Sequence, residues 1–355
     1  MSAISFSKIG NAESINKAVA RGQMQRHARN LAGKVYNLDA APGGAATASG
    51  IAMLVGQLEK VDPQLNEPLT SVTWQRDIPV VSGGGYVSNV SSVYVSYGTS
   101  GTDEESFIYN GSTDIATAQA DLTKETWKTI NFAEQMNINL LDKEAMTKIG
   151  RSLDQILEDG VRLNYQKLLD KSCYRGFAKL GNYGLVNNPN VVATTAANGA
   201  GGTATWATKT SDEIIADINA LLEAQWASVE YDQAAMANQI GVPPAQYALL
   251  VSKIVSSAGN MSVLKYVKEN SLATSMGIDL QIVPIRQLKG AASSGSADRM
   301  VAYRNDRKHL NFEMTMPLGR FATGIQGLSL QSTFVGQFSE LKMVYLMTVR
   351  YLDGI

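Results

Sequence analysis

Between about Asp142 and Cys173, Ile149, Leu153, Ile156, Leu157, Gly160, Val161, Leu168 and Leu169 recur at helical spacing. A helix of that span is a rod of roughly 45 Å at 1.5 Å per residue. Rods of this length ordinarily belong to helix bundles, but the flanking segments here read as strands. Just before it, Ile130, Phe132, Met136 and Ile138 alternate with Asn131, Ala133, Asn137 and Asn139, the pattern of a strand with one face toward a core. An α+β arrangement is therefore expected, with the rod among strands.

The chain has 355 residues, more than twice the usual length of one domain, so one or two cores with a large insertion are expected. Charged residues make up only 18% against 45% hydrophobic, which implies that much of the surface meets protein instead of water. No uncharged apolar run approaches the ~20 residues needed to cross a bilayer, and the N-terminus lacks the apolar core of a signal peptide. The expectation is a soluble protein made in a cytoplasm, with no membrane contact. A net charge of −1 argues against a dedicated nucleic-acid reader. Cys173 is the only cysteine, which excludes an intramolecular disulfide and a CxxC-type zinc site.

Site chemistry is sparse. The chain has no G-x-S-x-G, no G-x-x-x-x-G-K-[ST], no H-E-x-x-H and no calcium-loop motif. The only histidines are His27, among Arg21, Arg26 and Arg29, and His309, after Arg307 and Lys308 at the start of a strand. Both read as surface groups, not catalysts. Cys173 reads as a buried, inert thiol. Gly83 to Gly85 and Gly199 to Gly202 read as flexible loops, because neither leads from a strand into a helix carrying a following lysine. No catalytic residue, cofactor or metal is expected.

Two segments have too little apolar content for a core of their own. From Met1 to about Tyr36 the charges are Lys8, Lys17, Arg21, Arg26, Arg29 and Lys34 against Glu13, six minus one, or +5. From Arg76 to Asp121 they are Arg76 against Asp77, Asp103, Glu104, Glu105, Asp114 and Asp121, one minus six, or −5. The first reads as an arm. The second, with its strand-like run Tyr86 to Tyr97, reads as a two-stranded excursion that becomes stable only when laid on another surface.

Further along, Asn182 to Pro189 is rich in turns. Thr210 and Glu213 have capping-box spacing ahead of a helix with Ile214, Ile215, Ile218, Leu221, Leu222 and Trp226 on its buried stripe. Val242 to Val251 reads as a strand entering a helix, and Leu280 to Pro284 and Met300 to Tyr303 read as strands. Leu310, Phe312, Met314 and Met316 alternate in another strand. The chain closes with strands near Leu328 to Phe334 and Leu341 to Tyr351, the last expected to be buried on both faces in a sheet with the returning strand.

This order of elements resembles the Hong Kong 97-type major capsid fold of tailed phages and encapsulin-like shells. The residues that carry the resemblance are Asp77-Ile-Pro79, Asn139-Leu-Leu-Asp-Lys-Glu144 and Gly184-Leu-Val-Asn187-Asn-Pro189. It implies an N-terminal arm (1–55), a peripheral domain with the spine helix (56–76, 122–183 and 321–355), an extended loop (77–121) and an axial α/β domain (184–320). It further implies a structural protein assembling as pentamers and hexamers of an icosahedral head around double-stranded DNA held by non-specific contact. The alternative is an encapsulin-like nanocompartment shell. Expected partners are portal and scaffolding proteins, with a cementing protein as reinforcement, since no charged N-terminal helical extension is seen. Some relatives cross-link this loop through a lysine, and there is none between Asp77 and Thr123, so a non-covalent shell is expected. The opposite charges of arm and loop suggest that Glu104 and Glu105 approach Arg21, Arg26 or Arg29 of another subunit, guiding register more than adding strength.

Overall fold

The computed structural model describes residues 71–100, 116–148, 152–255, 259–293 and 295–355. A short helix, α1 (Trp74–Asp77), and a strand, β1 (Val80–Ser82), precede the excursion formed by β2 (Asn89–Thr99) and β3 (Ala118–Asn139). Two helices follow, α2 (Leu140–Lys148) and α3 (Leu153–Tyr174). The next region contains β4 (Ala193–Thr195), α4 (Ser211–Ser228), β5 (Gln239–Val242), α5 (Pro244–Ser252), β6 (Ile254–Val255), β7 (Met261–Ser262), α6 (Val263–Asn270), α7 (Leu272–Ser275), β8 (Gln281–Pro284) and β9 (Arg299–Tyr303). The chain ends with β10 (Leu310–Met314), β11 (Met316–Gln326), β12 (Ser329–Ser339), β13 (Leu341–Met343) and β14 (Val349–Asp353).

β3 organises the first sheet, ordered β11-β12-β3-β2. Its 22 residues extend about 70 Å at 3.3 Å per residue. The first half pairs with β2, from Thr99 opposite Ala118 to Asn89 opposite Lys128. The second half pairs with β12, from Ser339 opposite Thr129 to Ser329 opposite Asn139. Ala118 to Thr126 are all exposed, whereas Trp127, Met136 and Ile138 are buried. One strand thus begins in solvent and ends in a core, as the alternation from Ile130 to Ile138 anticipates.

The long helix differs from expectation. It is not one rod from Asp142: α3 starts at Leu153, and its N-cap Ser152 is extended and accepts a hydrogen bond from Gln155 N–H. Ser is a preferred cap because its hydroxyl satisfies an orphan donor of the first turn. The 22 residues of α3 span about 33 Å. Val161, Tyr165, Leu169 and Cys173, four residues apart, form its buried stripe on the sheet. The Tyr165 ring lies 5.0 Å from Phe132 and 6.2 Å from Phe338. Cys173 is fully buried, and burial followed by the charge of Asp170 pushes its thiol well above the ordinary value, as an inert cysteine requires.

The turn after α3 explains Gly184 and Asn187. Leu185 N–H and Val186 N–H donate to the carbonyls of Cys173 (2.9 Å) and Tyr174 (3.0 Å), folding the chain back over the helix end. The Asn187 side chain accepts from Gly184 N–H (2.9 Å) and donates to the Arg175 carbonyl (2.8 Å). A Cβ at position 184 would overlap the Tyr174 carbonyl. Gly184→Ala is accordingly expected to destabilise the unassembled subunit by about 1–3 kcal/mol. Urea unfolding should show this as a lower midpoint with unchanged slope.

The second region is built on a five-stranded sheet, β4-β14-β9-β5-β8. α4 begins with the anticipated capping box between Thr210 and Glu213. Its Ile214, Ile218, Leu221 and Leu222 share a core with Ile240, Met300 and Ala302 of the sheet. The strand expected within Val242 to Val251 ends at Val242 itself, because Pro243 and Pro244 cannot donate to a ladder and instead start α5.

Two expectations are corrected. Leu341 to Tyr351 is not one strand beside the returning strand. β13 pairs with β10, a 3-10 turn occupies Leu346–Thr348, and β14 joins β9 antiparallel and β4 parallel; the returning strand's partner is β12. Burial holds for β13 and β14 but not for Tyr345, Leu346 and Met347, which are exposed; β14 lies between two neighbours and is fixed by the ion pair of Asp353 with Arg299 at 2.6 Å. Burial pushes the Asp353 carboxyl up, but hydrogen bonds from Arg299 and Ser293 outweigh it and hold the group below its ordinary value. Second, His309 is not a surface group. It is 8% exposed, its ring lies 5.6 Å from that of Tyr345, and desolvation pushes its pKa down.

Candidate inter-subunit surface

Beyond the pairing of β3 with β12, three sets of side-chain contacts help to root the β2/β3 hairpin in the body. The deepest is Asp77, fully buried although charged. Its carboxylate accepts from Arg76 Nε (2.6 Å) and Nη2 (2.9 Å), from the Tyr174 hydroxyl and from Gln239 Nε2 (3.3 Å). The Tyr303 hydroxyl donates to the Asp77 carbonyl at 2.9 Å. One residue thereby ties the start of the loop to α3, β5 and β9. Burial first, then the Asp77 charge, pushes both tyrosines up, so each stays a neutral donor.

The second contact uses Gln337, 3% exposed, whose amide accepts from Val87 N–H (3.1 Å) and donates to the Val87 carbonyl (2.8 Å). The third is Tyr94, whose hydroxyl lies 2.8 Å from Glu125 Oε2 and 2.9 Å from the Val344 carbonyl, with its ring edge-on to Tyr345. Beyond Tyr94, every residue of β2 is exposed.

What the free part presents is apolar. Opposed residues share a face, and successive ones alternate. Val93 opposes Lys124, Val95 opposes Leu122 and Tyr97 opposes Ala120, so Val93, Val95, Tyr97 and Leu122 lie on one side. All four are exposed, Tyr97 at 84% and Leu122 at 67%. A second exposed group lies at the opposite edge of the sheet. Phe321 sits at a break in the β11/β12 register, Ile325 lies near the end of β11 and Leu328 in the turn itself; Leu140 N–H bonds to the Leu328 carbonyl (2.9 Å), which brings exposed Leu141 beside it. Contiguous apolar exposure of this kind marks protein contact.

The charged residues expected to guide assembly, Arg21, Arg26, Arg29, Glu104 and Glu105, lie outside the described residues. The apolar hairpin face was not among the sequence expectations. Its signal was present in the alternation of Val93, Val95 and Tyr97. Among the described residues no group of three His, Cys, Asp or Glu side chains is placed to hold a metal ion, and no helix is long and apolar enough to cross a membrane.

A body with a long helix on one sheet, an α/β region on a second sheet and a hairpin with an exposed apolar face is that of a shell-building subunit of the Hong Kong 97 type. Residues 103–355 match the family model described as major capsid protein. The chain belongs to the major capsid protein family, the structural proteins of icosahedral phage heads. Among solved structures it is similar to the capsid of Myoviridae phage XM1, with a TM-score of 0.70 and 18% identity over 84% of this chain and 98% of that one. It is also similar to the capsid of a native GTA particle (TM-score 0.59, 7% identity, 83% and 94% covered) and to a Microbacterium phage Oxtober96 chain (0.55, 12%, 85% and 97%). No curated protein sequence matches the chain.

Proposed function

We propose that this subunit assembles into pentamers and hexamers of a head enclosing double-stranded DNA, and that the β2/β3 hairpin joins neighbours by laying its apolar face on the next subunit. The observation that carries this reading is the combination of a rigidly rooted base at Asp77 with an exposed stripe of Val93, Val95, Tyr97 and Leu122. Full burial contributes about 1.5–3 kcal/mol for a large aliphatic side chain. Repeated around a closed ring, modest contacts give a durable shell. The role is structural and calls for no catalytic step.

In this reading the arm is 1–55 and the loop 77–121, with a peripheral region around α3 and an axial region within 184–320 to which β14 contributes the closing strand. Assembly takes place in the host cytoplasm with scaffolding and portal proteins and is completed in the virion, where a cementing protein can add strength. The acidic loop and basic arm guide register through Glu104, Glu105, Arg21, Arg26 and Arg29. With no lysine between Asp77 and Thr123, the loop forms no lysine cross-link. Purified protein is expected to form rings or closed particles in negative stain and to run as a single subunit band on a denaturing gel. A small discrete oligomer would count against the shell, and a ladder of covalent multimers against the non-covalent joint.

A further inference from the structure

Six exposed cations converge where α3 ends. Lys167, Lys171 and Arg175 are spaced by four residues and form one stripe at the C-terminal end of α3, and Lys179 follows in the next turn. Arg175 Nη2 donates to the Gln287 carbonyl at 3.1 Å, which brings Arg286 and Lys289 alongside. Between residues 160 and 180 the only acid is Asp170, and it is buried, its oxygens occupied by Thr73 N–H (3.1 Å) and Gln287 Nε2 (2.5 Å). At the far end of the stripe Glu134 is held by Asn164. Among the described residues, no ion pair involves any of the six cations.

A surface charge cluster is usually a solvated face balanced by nearby acids, and cations also favour a helix C-terminus. Neither account covers this patch. The helix dipole acts only on the last turn, whereas Lys167 lies two turns back and Arg286 and Lys289 are off the helix. Like charges four residues apart also weaken a helix. Successive cations on the stripe stand about 6 Å apart along the axis, nearly twice the ~3.4 Å charge spacing of one nucleic-acid strand, so that the stripe can meet about every second phosphate.

We infer that this patch, Lys167, Lys171, Arg175, Lys179, Arg286 and Lys289, is the genome-facing surface of the subunit and binds the phosphate backbone of packaged nucleic acid without reading sequence. The assignment rests on the shell reading above and adds which face of the subunit is turned inward.

The test uses full-length protein carrying Lys171→Ala, Arg175→Ala, Arg286→Ala and Lys289→Ala together, with the arm left intact. Thermal unfolding first establishes that the variant folds as the wild type does. Binding of a short duplex DNA to unassembled subunits is then measured across salt concentrations. The expected result is a loss of affinity of about tenfold or more, with the slope of log affinity against log salt shallower by about 3–4, while negative stain still shows particles. Lysine-to-arginine exchange at 171 and 289 should retain binding. An unchanged salt slope in a variant that still forms particles overturns the assignment. Unchanged DNA binding with particles abolished also overturns it, and assigns the patch to the acidic loop of a second copy. If the wild type itself forms no particles, the shell reading fails separately, and the duplex measurement still tests the patch.

Discussion

Replacing Asp77 by alanine is expected to destabilise the subunit by about 3–5 kcal/mol and to abolish particle formation. The size of the effect follows from what the carboxylate satisfies. Removing it leaves the Gln239 amide without its acceptor inside the core, leaves the Tyr174 hydroxyl with only the Thr73 hydroxyl as partner, and frees the half-exposed Arg76 guanidinium. It also loosens a point at which α1, α3, β5 and β9 meet, leaving the hairpin held by β12, Gln337 and Tyr94 without its anchor at the start of the loop. At about 2–4 °C per kcal/mol for a region of this size, the melting temperature should fall by roughly 10 °C. Tyr174→Phe, which removes one donor and keeps the carboxylate, should cost only about 1 kcal/mol. Unfolding curves of both variants, read beside particle yield, test this. An alanine variant as stable as the wild type would mean that Asp77 is not the anchor.

The opposite dissociation is expected on the hairpin. Val95→Asp combined with Leu122→Asp places two charges at a directly opposed pair that is already exposed in the isolated subunit. Stability should change by no more than about 0.5 kcal/mol beyond the like-charge penalty across the strands. Assembly should fail, because two carboxylates would have to be desolvated in an apolar contact. Tyr97→Asp is expected to behave in the same way. Sedimentation should find folded variant subunits that do not form particles. Normal particle yield would remove this face from the joint.

Much of the fold was legible because it is written in local patterns. The Thr210/Glu213 capping box, the returning strand from Ile130 to Ile138 and the turn at Gly184 each depend on residues within a few positions of one another. The break before α3 was legible as well, since Ser152 and Gln155 have the spacing of a helix start, but the longer apolar stripe masked it. The partner of β14 was not legible. An apolar run such as Met343 to Met347 suggests burial, yet Tyr345, Leu346 and Met347 are exposed at a 3-10 turn, and Asp353 meets Arg299 across a separation of 54 positions that no local pattern records. His309 was misplaced for a related reason: its basic neighbours suggest a surface, while the Tyr345 ring that covers it comes from a distant segment.

The assembly surface was half legible. Low apolar content from 77 to 121 implies that the loop needs a partner, but its net charge points to Glu104 and Glu105. The apolar stripe emerges only when register places Leu122 beside Val95. Similarly, the overall charge of −1 concealed the basic patch, because cations from α3 and from residues 286–289 are brought together by the fold and not by sequence.

The most direct test is a cryo-EM reconstruction of particles assembled from the full chain, traced through Asn89–Thr99 and Ala118–Lys128. These strands are expected to lie on an adjacent subunit, with Val93, Val95, Tyr97 and Leu122 in contact with it. A hairpin folded back onto its own subunit, or free in solvent within an intact particle, would contradict that placement.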